Sequence, residues 1–173
     1  GSEMCIRDSP CTGSVFVTQV GTGEVLASVT YPSYDNNELV NTFNNAYYND
    51  LLQDGNTPLV NRPLKQKKAS GSTFKMITAL AGLETGTITP STTIVDKGLF
   101  KDAGVPYARC WIYSNTGGTH GPVNVSHALE VSCNYFFYEL GYRLGSTANG
   151  SDSNKAITTL NEYMAAFGLN DYT

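Results

Sequence analysis

Ser70-Gly71-Ser72-Thr73-Phe74-Lys75-Met76-Ile77-Thr78-Ala79-Leu80-Ala81-Gly82-Leu83-Glu84-Thr85-Gly86 is the stretch on which the fold and the chemistry turn. Across residues 72–85 apolar side chains fall almost all round a helical wheel, and Gly86 stands where a left-handed cap belongs, so a buried helix is predicted. Ser72 and Lys75 do not serve a buried helix. They are three apart at its start, which stacks them one turn from each other on one face. A serine hydroxyl is a poor nucleophile until a neighbour takes its proton. A lysine can do so once burial lowers its pKa from about 10.4. Lys75 lies between Phe74 and Met76, with little polar surface nearby to hold its charge. The helix N-terminus adds partial positive charge and free N–H groups where an oxyanion would form.

Downstream, Ser132-Cys133-Asn134 falls at the junction of two predicted helices. The first is short, capped by Ser126, with His127 and Glu130 in its first turn. The second, residues 134–144, carries Phe136, Phe137, Leu140 and Leu144 at helical spacing. A lone Ser-X-X-Lys or Ser-X-Asn is common by chance, and a capping role is the ordinary reading of the second. Their order and setting give them weight, since one opens a buried helix after a Gly turn and the other sits at a helix junction. Upstream, residues 14–20 and 24–30 are β-rich runs separated by Gly21-Thr22-Gly23, a three-residue hairpin signal. Residues 31–61 read as a long surface excursion with weak helical periodicity over 44–52. Residues 87–121 read mostly as loop, with a strand-like 92–95 and a turn cluster at 114–118. A last helix over 156–167 is predicted, with Ile157, Leu160, Met164 and Phe167 on one side.

At 173 residues, 40% hydrophobic and 15% charged, the chain can build one soluble globular domain. A net charge of -4 argues against a nucleic-acid partner, and the cluster Lys65, Lys67 and Lys68 is too short to change that. No run approaches the roughly 18 to 20 apolar residues of a membrane span. Residues 1–12 show no periodicity and no signal-peptide core, so they read as a leader or cloning remnant, and Cys5 carries no inference, nor does Cys11. Four cysteines without a Cys-X-X-Cys spacing do not make a disulfide scaffold.

Gly71-Ser72-Thr73-Phe74-Lys75 resembles the Ser-X-X-Lys segment of class B penicillin-binding proteins. The similarity continues through Val29-Thr30-Tyr31-Pro32-Ser33-Tyr34-Asp35, Asn61-Arg62, His120-Gly121-Pro122-Val123-Asn124-Val125, Ser132-Cys133-Asn134-Tyr135-Phe136-Phe137-Tyr138-Glu139 and Phe167-Gly168-Leu169. It points to the elongation-type penicillin-binding protein 2 branch. The resemblance implies an α+β fold of the serine β-lactamase/transpeptidase type, with residues 13–173 as the N-terminal part of that domain. It implies a peptidoglycan D,D-transpeptidase at the extracytoplasmic face of a bacterial membrane, needing no organic cofactor. Its partners would be stem peptides, β-lactam antibiotics and a membrane glycosyltransferase. Ser72 would be the nucleophile, Lys75 the base, Ser132 a proton relay and Asn134 a hydrogen-bonder to the substrate amide. The backbone N–H of Ser72 would form half of the oxyanion hole. A D,D-carboxypeptidase, a β-lactamase-type hydrolase and a non-catalytic β-lactam sensor are the alternatives.

Two departures from the family pattern matter. Ser70 stands where Pro usually precedes the Gly, which loosens the turn. No Lys-Thr-Gly or Lys-Ser-Gly triplet follows Asn134, so the site is expected to be incomplete and this chain alone inactive. The hairpin is likewise expected to lack partner strands, which exposes an edge and lowers solubility.

Asp96, Cys110, His120 and Cys133 are ligand types for a tetrahedral zinc, though their spacing fits no zinc finger. The resemblance implies a structural zinc here, because some elongation-type relatives build one from Asp, His and Cys. A buried pair of free thiols or a Cys110–Cys133 disulfide are the other readings. His127 reads as a helix-face residue, Trp111 as a core anchor, and Tyr135 to Tyr138 as helix packing. Asn124-Val125-Ser126 and Asn149-Gly150-Ser151 match the glycosylation pattern and are read as caps and turns.

Overall fold

The computed structural model describes residues 12–148 and 150–169, so Cys5, Cys11 and Asn149 lie outside the described residues. The chain divides into two compact units, residues 1–69 and 70–173.

In the first unit, β1 (Gly13–Thr18) and β2 (Val25–Tyr31) form the expected antiparallel hairpin. A register shift at Val17/Thr18 ends β1 early. The connection is therefore a longer turn, closed by Gln19 N–H to Glu24 O at 2.8 Å and Gly23 N–H to Gln19 O at 3.0 Å. Among the described residues no third strand pairs with this hairpin, and Val15, Phe16, Leu26 and Val29 stay exposed. The excursion after it holds two helices, α1 (Asn37–Val40) and α2 (Asn45–Gln53), and α3 (Arg62–Lys65) follows directly. Asn44 caps α2 by accepting from Tyr47 N–H at 3.1 Å. Arg62 ties α3 to the hairpin, its N–H reaching Thr30 Oγ1 at 3.1 Å, while its buried guanidinium donates to the carbonyls of Asn56 and Thr57.

The second unit is helical with short strand pairs. A 3-10 turn (Gly71–Phe74) runs into α4 (Lys75–Glu84), and Gly86 takes the left-handed conformation expected of it, at φ 67. Then come β3 (Ile94–Asp96), β4 (Leu99–Phe100), β5 (Ala108–Arg109), α5 (Trp111–Thr116), β6 (Gly121–Val123), α6 (Val125–Glu130) and α7 (Asn134–Leu144). The pair β7 (Ser146–Thr147) and β8 (Gly150–Ser151) precedes α8 (Ser153–Ala166). β3 pairs with β6, and β4 with β5, both antiparallel. α7 is the centre of the core, with Phe136 and Leu140 fully buried and Leu144 nearly so. Each such side chain stabilises the fold by about 1.5–3 kcal/mol relative to exposure. α4 packs closely on it because Gly82 has no side chain, and a Cβ there would meet Leu140 Cδ1 at 2.7 Å.

Several sequence expectations are corrected. α4 is not apolar and buried all round, since Met76 is exposed. The turn cluster at 114–118 is the end of α5, and its glycine is a helix cap, Gly117 at φ 74. Asn124, not Ser126, caps α6, accepting from His127 N–H at 2.9 Å. α8 starts at Ser153 under an Asp152 cap, and its inward face is Ala156, Leu160 and Tyr163. Of the expected stripe Leu160 faces inward and Met164 is partly covered, while Ile157 and Phe167 point to solvent, because burial of Ala156 turns the inward face toward Ala156 and Tyr163. Tyr135, Phe136 and Phe137 are packing residues, whereas Tyr138 is exposed at the edge of Phe100. Trp111 is 42% exposed and is not a core anchor, since it opens α5 on the surface.

Candidate active site

Ser72 lies exposed in the 3-10 turn, and Gly71 before it takes φ 58, a conformation in which glycine meets no Cβ penalty. Lys75 opens α4 half-buried. Its Nζ donates to Ser132 O at 2.7 Å, Ser132 Oγ at 2.9 Å and Asn134 Oδ1 at 2.6 Å. Ser132 Oγ in turn donates to Ser72 Oγ at 3.1 Å. The four residues singled out in the sequence therefore meet, and the link from Lys75 to Ser72 runs through Ser132.

Ser132 reaches that position through the end of α6. Ser132 N–H bonds Leu129 O at 3.1 Å and Cys133 N–H bonds Ala128 O at 2.9 Å, the two bonds of a Schellman cap. Such a cap asks its residue for a left-handed conformation, usually supplied by glycine. Ser132 adopts it at φ 52. Left-handed backbone on a residue with a Cβ costs about 1–2 kcal/mol, and here it falls on a hydroxyl poised between two polar partners. Asn134 follows as the first residue of α7, so one helix-to-helix corner delivers both side chains.

Burial pushes the Lys75 pKa below its ordinary 10.5, against the opposing pull of the cysteines at 110 and 133. Phe137 lies under the ammonium, its ring centre 5.6 Å from Nζ. Sequence reasoning filed Phe137 as packing only. The available signal was its position three residues after Asn134, which puts both on one helix face.

Behind this corner Asp96, Cys110, His120 and Cys133 offer one donor atom each, all within 4.8 Å of one another. The thiols are free, with sulfur atoms 3.9 Å apart, far beyond the roughly 2.05 Å of a disulfide, which removes that reading. A tetrahedral zinc with bonds of about 2.3 Å to S and 2.05 Å to N spans about 3.8 Å between sulfurs and about 3.5 Å from S to N. The S–S separation of 3.9 Å, and 3.5 Å from Cys110 Sγ to His120 Nδ1, are of that size. His120 Nδ1 and Asp96 Oδ2, 2.8 Å apart, would have to separate by about half an ångström. Burial works to raise the Asp96 pKa, but hydrogen bonds from the Gly98 and His120 backbones, His120 and Cys110 outweigh it and hold the carboxylate ionised. Burial pushes the Cys133 thiol up to about 12.

Gly98 joins two of these residues, giving its N–H to Asp96 Oδ1 at 2.7 Å and its carbonyl to Cys110 N–H at 2.9 Å. It does so at φ 80, face-on to Tyr113, where a Cβ would come within 2.2 Å of Tyr113 Cδ2. Gly98→Ala is expected to lower stability by about 2–3 kcal/mol, from backbone strain plus overpacking, measured by urea unfolding. A loss under half a kcal/mol would refute this account of the position. His127 pairs on the surface of α6 with Glu130, at 3.0 Å.

A Ser-X-X-Lys turn at the head of α4, a serine at a helix corner and Asn134 at the start of the buried α7 thus bring two hydroxyls, an amine and an amide to one place. The family model described as penicillin binding protein transpeptidase domain matches residues 13–173, and the chain belongs to this family. It is 38% identical over 160 residues to the peptidoglycan D,D-transpeptidase MrdA of Escherichia coli K12, covering 92% of this chain and 23% of that protein. Among solved structures it resembles Pseudomonas aeruginosa PBP2 in complex with WCK 5153, at TM-score 0.75 and 32% identity over 91% of this chain and 32% of that one. It also resembles penicillin-binding protein A of M. tuberculosis as its penicillin G acyl-enzyme complex, at TM-score 0.77 and 29% identity over 94% of this chain and 35% of that one. The chain thus spans less than a third of the MrdA protein it matches.

Proposed function

We propose that residues 13–173 supply the nucleophile side of a peptidoglycan D,D-transpeptidase site, as the first part of a larger transpeptidase domain. The observation that carries this reading is the hydrogen-bonded line Lys75, Ser132, Ser72, with Asn134 on the same ammonium. In the arrangement described, Lys75 donates to three acceptors and Ser132 donates to Ser72, which is the polarity of a charged lysine. For attack the polarity reverses. Neutral Lys75 accepts the Ser132 proton while Ser132 Oγ accepts that of Ser72.

Ser72 Oγ then bonds to the penultimate D-Ala carbonyl carbon of a stem peptide. The resulting oxyanion meets the Ser72 N–H, which in the first turn of its helix has no intrahelical carbonyl to satisfy. Collapse breaks the amide bond, the terminal D-Ala leaves with the proton returned along the same line, and an ester to Ser72 remains. The amine of a second stem peptide resolves it. A β-lactam carbonyl would be attacked in the same way, and the penicillin G acyl-enzyme of the M. tuberculosis relative supports this. Asn134 would orient the substrate amide. By this reading the site would work outside the cytoplasmic membrane, where peptidoglycan lies, and a membrane glycosyltransferase that makes the glycan strands would be its partner. Among the described residues no helix is long and apolar enough to cross a membrane.

Asp96, Cys110, His120 and Cys133 would hold a structural zinc, which supplies a cross-link between β3, the start of α5, the strand before α6 and the α6–α7 corner. Its ligand Cys133 lies between Ser132 and Asn134, so the cross-link would brace the catalytic corner from behind.

Mass spectrometry of the full-length protein with labelled penicillin, and then with stem peptide and an acceptor amine, tests the reading. Label on Ser72 and a cross-linked product are expected. Label elsewhere, or none, would overturn it, and hydrolysed stem peptide without cross-link would assign a carboxypeptidase. The pH profile gives a second expectation. Acylation needs neutral Lys75, so its rate should climb with pH and level off at the lysine's own pKa, which burial holds below 10.5. Between that pKa and the ordinary lysine value the unfolded chain binds more protons, so the Lys75 contribution to stability also rises with pH there. Lys75→Arg should abolish the climb and lower the rate at least about a hundredfold. A flat wild-type profile would remove Lys75 as the base.

A further inference from the structure

The strain at Ser132 needs something to hold it. The φ of Ser132 is set by the plane of the Val131–Ser132 peptide, and both polar ends of that peptide are fixed. Its N–H bonds Leu129 O at 3.1 Å within the cap. Its carbonyl accepts the indole Nε1–H of Trp111 at 3.1 Å, from a residue 20 positions away on another helix. Trp111 itself is well anchored for this. It is the first residue of α5, directly after fully buried Cys110, and its ring lies 5.5 Å from that of His120. A rotation of the Val131–Ser132 peptide toward an ordinary negative φ would turn the carbonyl away from the indole and carry Ser132 Oγ away from Lys75 and Ser72.

We infer that Trp111 is a positioning residue for the acyl-transfer reaction, its indole N–H locking the Val131–Ser132 peptide so that Ser132 Oγ stays between Lys75 and Ser72. The inference rests on the proposed function and extends it to a residue that touches neither substrate nor nucleophile. It also accounts for a tryptophan left 42% exposed, because the group that matters is the N–H and not the buried area of the ring.

The test replaces that N–H alone. In the full-length protein, Trp111 is substituted by 3-benzothienylalanine, in which sulfur stands for the indole nitrogen, and separately by Phe. The binding constant and the acylation rate constant for a labelled penicillin are measured apart, together with bound metal and the melting temperature. The expected result is an acylation rate constant lowered about three- to tenfold in both variants, the size of one neutral hydrogen bond, with binding and metal content unchanged. An unchanged rate constant in the isosteric variant would overturn the inference. So would a fall matched by equal losses of binding and metal, which would make Trp111 a mere support for His120. If the unsubstituted protein forms no acyl-enzyme at all, the functional reading itself fails and this inference fails with it.

Discussion

Replacing Ser132 by glycine is expected to cut penicillin acylation at least about a hundredfold while giving a protein more stable than the alanine variant at the same position. The two substitutions remove the same hydroxyl, and with it the bonds at 2.9 Å to Lys75 and 3.1 Å to Ser72. They differ in the backbone. At φ 52 alanine keeps the Cβ clash that serine tolerates, whereas glycine has none, and glycine is what a Schellman cap ordinarily uses. The gap between the variants should be about 1 kcal/mol, or a shift of about 2–4 °C in melting temperature. Stopped-flow acylation with a fluorescent penicillin and thermal unfolding of both variants measure the two halves. Should glycine prove no more stable than alanine, Ser132 stores no strain. Should it acylate at the parent rate, Ser132 relays no proton.

Zinc removal carries the second large effect. One equivalent of zinc is expected to accompany the protein, and stripping it should destabilise the fold by about 4 kcal/mol, as for a ligand held at a thousandfold over its dissociation constant. That is a fall of about 10 °C in melting temperature. The affinity should rise with pH, because thiolates are the ligands and burial pushes the Cys133 thiol up to about 12. Cobalt in place of zinc should show sulfur-to-metal charge-transfer absorption, and Cys133→Ala should lose part of that band. A protein that carries no metal after expression in zinc-supplemented medium, and gains no stability from added zinc, would leave Asp96, Cys110, His120 and Cys133 as a buried hydrogen-bonded cluster only.

Much of this was legible in the residues. Helix α7 was readable to the residue, because Phe136, Phe137, Leu140 and Leu144 repeat at helical spacing and Gly145 ends the run. The hairpin was readable from its β-branched runs, though not its longer turn, which depends on a bulge that no composition signal marks. Helix α5 was missed because Ser114, Asn115, Gly117 and Gly118 carry turn chemistry, and only its packing and capping decide that the turn residues close a helix. The inward face of α8 was legible at Leu160 but not at its start, since Ala156 and Ile157 are both apolar and only the neighbours decide which is covered.

The sequence by itself determined the chemical types and their local phase: a serine and a lysine one turn apart, a serine and an asparagine flanking a cysteine, and four candidate ligands. Spacing along a helix is a local property, so a short stretch of chain encodes it completely. Tertiary structure decided what touches what. It put Ser132 between Lys75 and Ser72, laid Phe137 under the ammonium, set two cysteines 3.9 Å apart and aimed the Trp111 indole at a carbonyl 20 residues away. These are contacts between segments distant in sequence. They exist only because α4, α6 and α7 bury their apolar faces together, and that shared burial leaves the polar groups at their corner in a single arrangement.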